Sequence, residues 1–118
     1  MINETRPDKV YLACGSTDLR KSIDGLAVLV KESFDLDPFS SCLFVFCNRK
    51  KEKIKILHWY HNGFWLYYRR LEEGKFQWPQ NSNQKVAAIS LRQLRWLLDG
   101  LPINQHQAHP EVLARTVL

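Results

Sequence analysis

The sequence has few of the features that mark secreted, membrane or disulfide-bonded proteins. Its 118 residues include only three cysteines, and an odd count without a spacing framework argues against a disulfide scaffold and for a reducing compartment. No apolar run approaches the roughly 20 residues that a membrane span needs. The first residues are polar and lack the apolar core of a signal peptide. We therefore expect a cytoplasmic protein that makes no membrane contact.

The sequence also lacks the motifs of the common enzyme classes. It has no glycine-rich phosphate loop, no nucleophile elbow and no cysteine–histidine dyad with an orienting third residue. Metal-dependent phosphoryl transfer needs carboxylates that converge on ions about 4 Å apart. The candidate carboxylates have structural explanations in helix starts, a helix surface and turns; they are Asp18, Asp24, Asp35 and Asp37. We predict no catalytic residues, no cofactor and no small-molecule substrate.

Histidine and cysteine spacing fits a metal site poorly. His58 and His61 lie at the entrance to a predicted turn, and Cys42 and Cys47 are five residues apart on one predicted strand. Side chains at that separation point to opposite faces of a sheet. Structural zinc usually takes two closely spaced pairs of ligands, so we predict no metal site.

The length and the order of apolar patterns predict one α+β domain. In it a small, mostly antiparallel sheet, a meander with a central Asn-Gly hairpin, is packed by two helices. The domain is expected to span residues 1–101. Residues 102–118 are expected to form a loose tail, which either contains a short helix or becomes ordered on a partner.

Local patterns place the individual elements. Apolar runs predict strands at residues 10–13, 42–47, 53–60, 64–71, 75–78 and 86–89. Apolar spacing predicts a first helix that ends before Asp35 and begins either after the capping residues 16–18 or near Ser22. A second helix is predicted to begin at Ser90, because Gln93 three residues later completes a capping box.

The dipeptide Asn62-Gly63 is the strongest short hairpin signal in the chain. A two-residue turn there pairs Lys55 with Arg70, and Tyr68 lies one pair away. Because side chains alternate along a strand, Lys53, Lys55 and Arg70 then lie on one face, at the end of the hairpin remote from this turn. Trp59 and Tyr68 share that face. Burial in the core is the favoured interpretation for both aromatic side chains.

The excess positive charge lies in one stretch of the sequence. Residues 49–75 contain eight basic and three acidic residues, whereas the rest of the chain contains nine of each. A focused positive field attracts phosphate backbones or acidic protein surfaces, although a solubilising surface would have the same composition. We favour phosphate contact. The candidate nucleic-acid-binding residues are Arg49, Lys50, Lys51, Lys53, Lys55 and Arg70, with Arg20 and Lys21 as helpers.

Several motifs occur in an order that is typical of one protein family. They are Asp18-Leu19-Arg20-Lys21, Asp24-Gly25-Leu26, Phe44-Val45-Phe46, Asn48-Arg49-Lys50, Arg70-Leu71-Glu72 and Phe76-Gln77-Trp78-Pro79. With them, residues 10–101 resemble the accessory protein TnpB, the second open reading frame of the insertion sequence 66 family of bacterial transposable elements. The resemblance implies a non-catalytic role in DNA transposition, with a separate transposase that carries the catalytic carboxylates.

Two hypotheses about function follow from different features. In the first, a basic β-ribbon binds DNA at the element ends or at the target. In the second, the protein is an adaptor that docks on the transposase through its many aromatic residues and the apolar end of its tail. The apolar tail residues are Val112, Leu113, Val117 and Leu118.

Overall fold

The computed structural model describes residues 7–79 and 83–104. Five strands form one sheet in the order β4-β3-β2-β1-β5, and neither described helix has the length and apolar character that a membrane crossing requires. The elements are β1 (Lys9–Ala13), α1 (Ile23–Glu32), β2 (Cys42–Cys47), β3 (Lys53–Tyr60), β4 (Gly63–Arg70), β5 (Val86–Ile89) and α2 (Leu91–Leu98). The predicted tail beyond residue 104 lies outside the described residues.

The sheet confirms the predicted α+β class and its mostly antiparallel pairing. Strands β2, β3 and β4 form a meander of consecutive antiparallel pairs. The meander does not extend to the whole sheet, because α1 carries the chain from β1 to a parallel neighbour, β2. Strand β5 then pairs antiparallel with the other edge of β1. Strand β1 therefore lies between a parallel partner, β2, and an antiparallel partner from the later part of the chain, β5.

The two helices cover opposite faces of the sheet. Leu26 and Val30 of α1 pack on the face that carries Phe44 and Phe46, and α2 packs with the face that carries Val45. Every residue of β2 is consequently buried. A continuous apolar run, rather than an alternating one, is the pattern expected of a strand covered on both sides.

The two helix starts differ in how well the sequence predicted them. Helix α1 has Ser22 at its N-cap, the later of the two predicted starts, so the residues before it form a loop. In α2 the capping box is confirmed: the Gln93 amide donates to the Ser90 hydroxyl at 3.0 Å, and the Ser90 amide donates to the Gln93 side chain at 2.9 Å. Reciprocal bonds of this kind satisfy two amides that the helix leaves unpaired.

The predicted strand at residues 75–78 is wrong. These residues form a non-repetitive segment that packs on the α2 face of the sheet, with Phe76 and Trp78 buried in the core. The Trp78 indole donates a hydrogen bond to the Ala13 carbonyl at 3.0 Å. The alternation of apolar residues was real, but the alternating side chains cover a face of the sheet instead of extending its edge.

The hairpin between β3 and β4 turns one residue earlier than predicted. Its central residues are His61 and Asn62, with φ of 51° and 80°, and positive φ at both positions is what a type I′ turn requires. Arg70 therefore pairs with Lys53, not with Lys55. The predicted Asn62-Gly63 register is wrong by two residues, a shift that leaves each side chain on its predicted face.

Candidate nucleic-acid interface

The sheet face that carries α1 has an apolar half and a polar half. On β3 and β4 the apolar half lies near the His61-Asn62 turn, where Leu57 pairs with Leu66. It is covered by α1 and the residues that follow the helix, among them Phe34 and Leu36. The polar half lies at the other end of the two strands. Its side chains are Lys53, Lys55, Tyr68 and Arg70.

Two loops enclose the polar half and leave an open groove of about 860 Å³ between them. One is the loop before α1, and the other is the turn that joins β2 to β3. Five basic side chains and two acidic ones, Asp18 and Glu52, line this basic groove, together with Tyr68. The five basic side chains are Arg20, Arg49, Lys50, Lys53 and Lys55. A concave surface lined mainly by one sign of charge concentrates the field that attracts an anion.

The β2–β3 turn is held rigidly by Asn48. Its side-chain oxygen accepts hydrogen bonds from the amides of Glu52 and Lys53, both at 3.0 Å. The Lys51 amide closes the turn on the Asn48 carbonyl at 3.1 Å, and Lys51 takes a left-handed conformation with φ of 61°. The turn thus presents its exposed tip residues, Arg49 and Lys50, in a fixed position.

Three of the groove's cations are free to meet a ligand. The side chains of Arg49, Lys50 and Lys53 form no hydrogen bond or ion pair with any residue in the described ranges 7–79 and 83–104. A cation without an internal partner keeps its full charge for an incoming anion. These three residues are consequently the strongest candidates for contact with phosphate groups.

Lys55 has a structural role that the sequence did not reveal. Its ammonium group donates to the Leu19 carbonyl at 2.6 Å and to the Lys21 carbonyl at 3.1 Å. These bonds tie the loop before α1 to the floor of the sheet. The charge of Lys55 remains beside the groove, but its donors are directed into the protein.

Arg20 stands at the rim of the groove in an ion pair. Its guanidinium contacts Asp18 at 2.8 Å, with the arginine side chain 91% exposed. Hydrogen bonds from Arg20 hold the pKa of the Asp18 carboxyl well below its usual range. An exposed pair of this kind contributes little to stability, but it orients the guanidinium. Asp18, one of the expected helix caps, thus pairs with Arg20 in a loop.

The remaining basic candidates lie outside the groove lining. Lys21 and Lys51 line separate, smaller depressions, and Arg70 forms an ion pair with Glu72 at 2.9 Å. Arg69, on the other face, donates to the Leu98 carbonyl at 3.1 Å. The structure therefore brings together five of the eight predicted residues.

Tyr68 is the groove residue for which the favoured sequence interpretation, burial, is wrong. Its side chain is 54% exposed and it pairs directly with Lys55 across β3 and β4. The period-two alternation had already placed it beside the cations. The sequence did not show how much of this face α1 covers. The helix covers the neighbouring apolar half and leaves the Tyr68 ring exposed.

The histidines and cysteines do not converge. Cys42 and Cys47 pack on opposite faces of the sheet, as their spacing predicted, and burial raises the pKa of the Cys47 thiol to about 12. His58 is buried, whereas His61 is exposed in the hairpin turn. Within residues 7–79 and 83–104, no three His, Cys, Asp or Glu side chains form a group that could hold a metal ion.

His58 gives the protein a predictable pH dependence of stability. The ring is 1% exposed and neither nitrogen has a hydrogen-bond partner among the residues that the structure describes. Burial lowers its pKa. The unfolded chain takes up a proton near pH 6.5, whereas the folded chain resists it. We expect the free energy of unfolding to fall as the pH drops from about 7.5 to about 5.5.

Urea unfolding at the two pH values measures this effect. His58→Leu should remove most of the pH dependence, and the matched variant His61→Gln, altered in the exposed turn, should retain it. Equal pH dependence in the wild type and His58→Leu would show that another group is responsible.

The fold and the groove together define a small α+β protein with an open cationic surface. The family described as IS66 Orf2 like protein matches residues 8–108. The chain belongs to this family, whose members are accessory proteins associated with transposition of an insertion sequence.

Two relatives come from Sinorhizobium fredii, and both are described as uncharacterized proteins. The protein y4hO is 37% identical over 93 residues, which cover 79% of this chain and 80% of the relative. The protein y4jC is 30% identical over 79 residues, which cover 67% of this chain and 68% of the relative. No solved structure matches the chain.

Proposed function

We propose that this protein binds DNA through the basic groove and thereby assists transposition, without itself carrying out strand cleavage, in the bacterial cytoplasm. The observation that supports this proposal is the convergence of five basic side chains from two loops and one strand onto one concave surface. Three of them have no internal partner among the described residues. The ends of the element or its target DNA would be the ligand, and the transposase would be the protein partner.

The contacts around the groove suit binding better than they suit a merely solubilising surface. Asn48 fixes the turn that carries Arg49 and Lys50, and Lys55 fixes the opposite loop. A backbone that is already in place loses less conformational entropy when the residues it carries meet a ligand. A surface that served only solubility would need no such fixation of the backbone beneath its charges.

Salt dependence tests the proposal directly. If about four phosphates are contacted, the logarithm of the affinity should fall with the logarithm of the salt concentration at a slope of about −3 to −4. Fluorescence anisotropy with labelled DNA from the element ends, and with an unrelated sequence of equal length, gives this slope. Absence of binding to either DNA at about 50 mM salt would refute the proposal.

A second candidate function, docking on the transposase, is favoured by an exposed aromatic cluster. Phe39 is 57% exposed and packs against Trp59 and Phe64, with ring centroids 5.0 and 5.5 Å apart. Exposed aromatic rings are enriched where proteins associate. Co-purification of the transposase with the wild type, and its loss with Phe39→Ser, would support docking; association that is unaffected by Phe39→Ser would argue against this surface.

A further inference from the structure

Tyr68 is an aromatic ring in the middle of a cationic surface. It is 54% exposed, it lines the groove with Arg49 and Lys53, and its strand partner is Lys55. The other half of the same face buries its apolar side chains under α1 and the segment after it. Burial in the core therefore does not explain why an aromatic residue stands at this position.

The chemistry of stacking limits which form of DNA could use this ring. The face of an aromatic ring can stack only on a base that has left its own stack, because bases inside a duplex present their edges alone. The groove is open and has a volume of about 860 Å³, which leaves room for a small ligand beside the ring. A nucleotide whose base is unpaired can present the face of that base to the ring, whereas a base inside a duplex cannot.

The cations line the same groove as the ring. Lys55 holds the loop before α1 against the sheet, and this loop forms one side of the groove that Tyr68 lines. Arg49 and Lys50 at the exposed turn, with Lys53 on β3, supply positive charge in the same groove for backbone phosphates next to a stacked base. Proteins that bind single strands combine these two elements, a positive groove and an aromatic platform.

We propose that the basic groove binds unpaired DNA, with a base stacked on Tyr68 and the flanking phosphates held by Arg49, Lys50 and Lys53. This inference rests on the proposed function and narrows its ligand from DNA in general to single-stranded or locally unpaired DNA. Stacking on one aromatic ring contributes roughly 1–3 kcal/mol per base, which corresponds to about a 5- to 150-fold change in affinity.

A comparison of three probes separates stacking from charge. The first is a labelled strand of about twelve thymidines, the second is the same backbone with abasic sites throughout, and the third is a duplex of equal length. All are measured by anisotropy with the purified full chain at one salt concentration. We expect the thymidine strand to bind about tenfold more tightly than either of the other two.

Variants of one strand provide the matched controls. Tyr68→Leu should remove most of the preference for the thymidine strand, whereas Tyr68→Phe should keep it because the ring remains. Trp65→Leu changes a ring of similar exposure, 50%, on the opposite face of β4 and should also leave the preference intact. Unfolding curves confirm that each variant folds, as expected for exposed positions.

The outcomes distinguish this inference from the proposed function. Equal affinity for the thymidine and abasic strands, or an unchanged preference in Tyr68→Leu, would overturn the stacking inference while salt-dependent DNA binding still stood. Failure of all three probes to bind at low salt would instead refute DNA binding by the groove, and the inference with it.

Discussion

Reversing two charges in the groove, Lys50→Glu together with Lys53→Glu, should weaken DNA binding about 100-fold near 100 mM salt. Each substitution removes a cation that has no internal partner among the described residues and replaces it with a charge that repels phosphate. The slope of affinity against salt should become shallower by about 2. Fluorescence anisotropy across a salt series measures both changes.

A control with the same change in net charge shows whether position matters. Lys31→Glu together with Arg92→Glu alters two exposed residues, one on each helix, that lie outside the groove lining. This control should change the affinity by no more than about threefold, because neither residue lines the groove and salt screens exposed charges that do not contact the ligand. An equal loss in both double variants would mean that overall charge, and not the groove, governs binding.

Lys55→Met should destabilise the fold by about 2 kcal/mol, since hydrogen bonds from charged groups contribute roughly 1.5–3 kcal/mol. The substitution keeps most of the apolar stem but leaves the carbonyls of Leu19 and Lys21 without the ammonium donor. The midpoint of urea unfolding should fall while the slope of the transition stays constant.

Lys53→Met is the matched control for this prediction. Lys53 lies two residues earlier on the same face of β3, and its side chain bonds to no residue in the described part of the chain. We expect a stability change below about 0.5 kcal/mol and weaker DNA binding. If Lys53→Met destabilises the fold as much as Lys55→Met does, the two carbonyl contacts do not carry the effect.

The sequence predicted best those elements whose signals are local. The run at Cys42–Cys47 and the capping box at Ser90 each specify their own backbone, and both were placed correctly. The start of α1 required a choice between two sets of capping residues. In the structure Lys55, 36 residues away, bonds to a carbonyl of the loop before α1, and such a contact leaves no mark on local periodicity.

The wrong predictions concern segments whose residue pattern is compatible with two different structures. An alternating segment such as 75–78 can extend a sheet edge or lie across a sheet face, and local alternation does not distinguish the two. In the structure it lies on the face that α2 also covers.

The hairpin turn lies one residue earlier than predicted, because His61 and Asn62 adopt the left-handed conformation that was expected of Asn62 and Gly63. Each side chain lies on its predicted face of the sheet, but its partner on the neighbouring strand differs. Lys55 was predicted to pair with Arg70 and pairs instead with Tyr68.

The position of β1 has a consequence for how the chain folds. It pairs with β5 through residues as distant as Val10 and Ile89, whereas the β2–β3–β4 meander joins residues close in sequence. Contacts between remote residues require closure of a long loop and form slowly. The two hairpins, with four of the groove's five cations, can therefore assemble before the last strand and α2 complete the second layer.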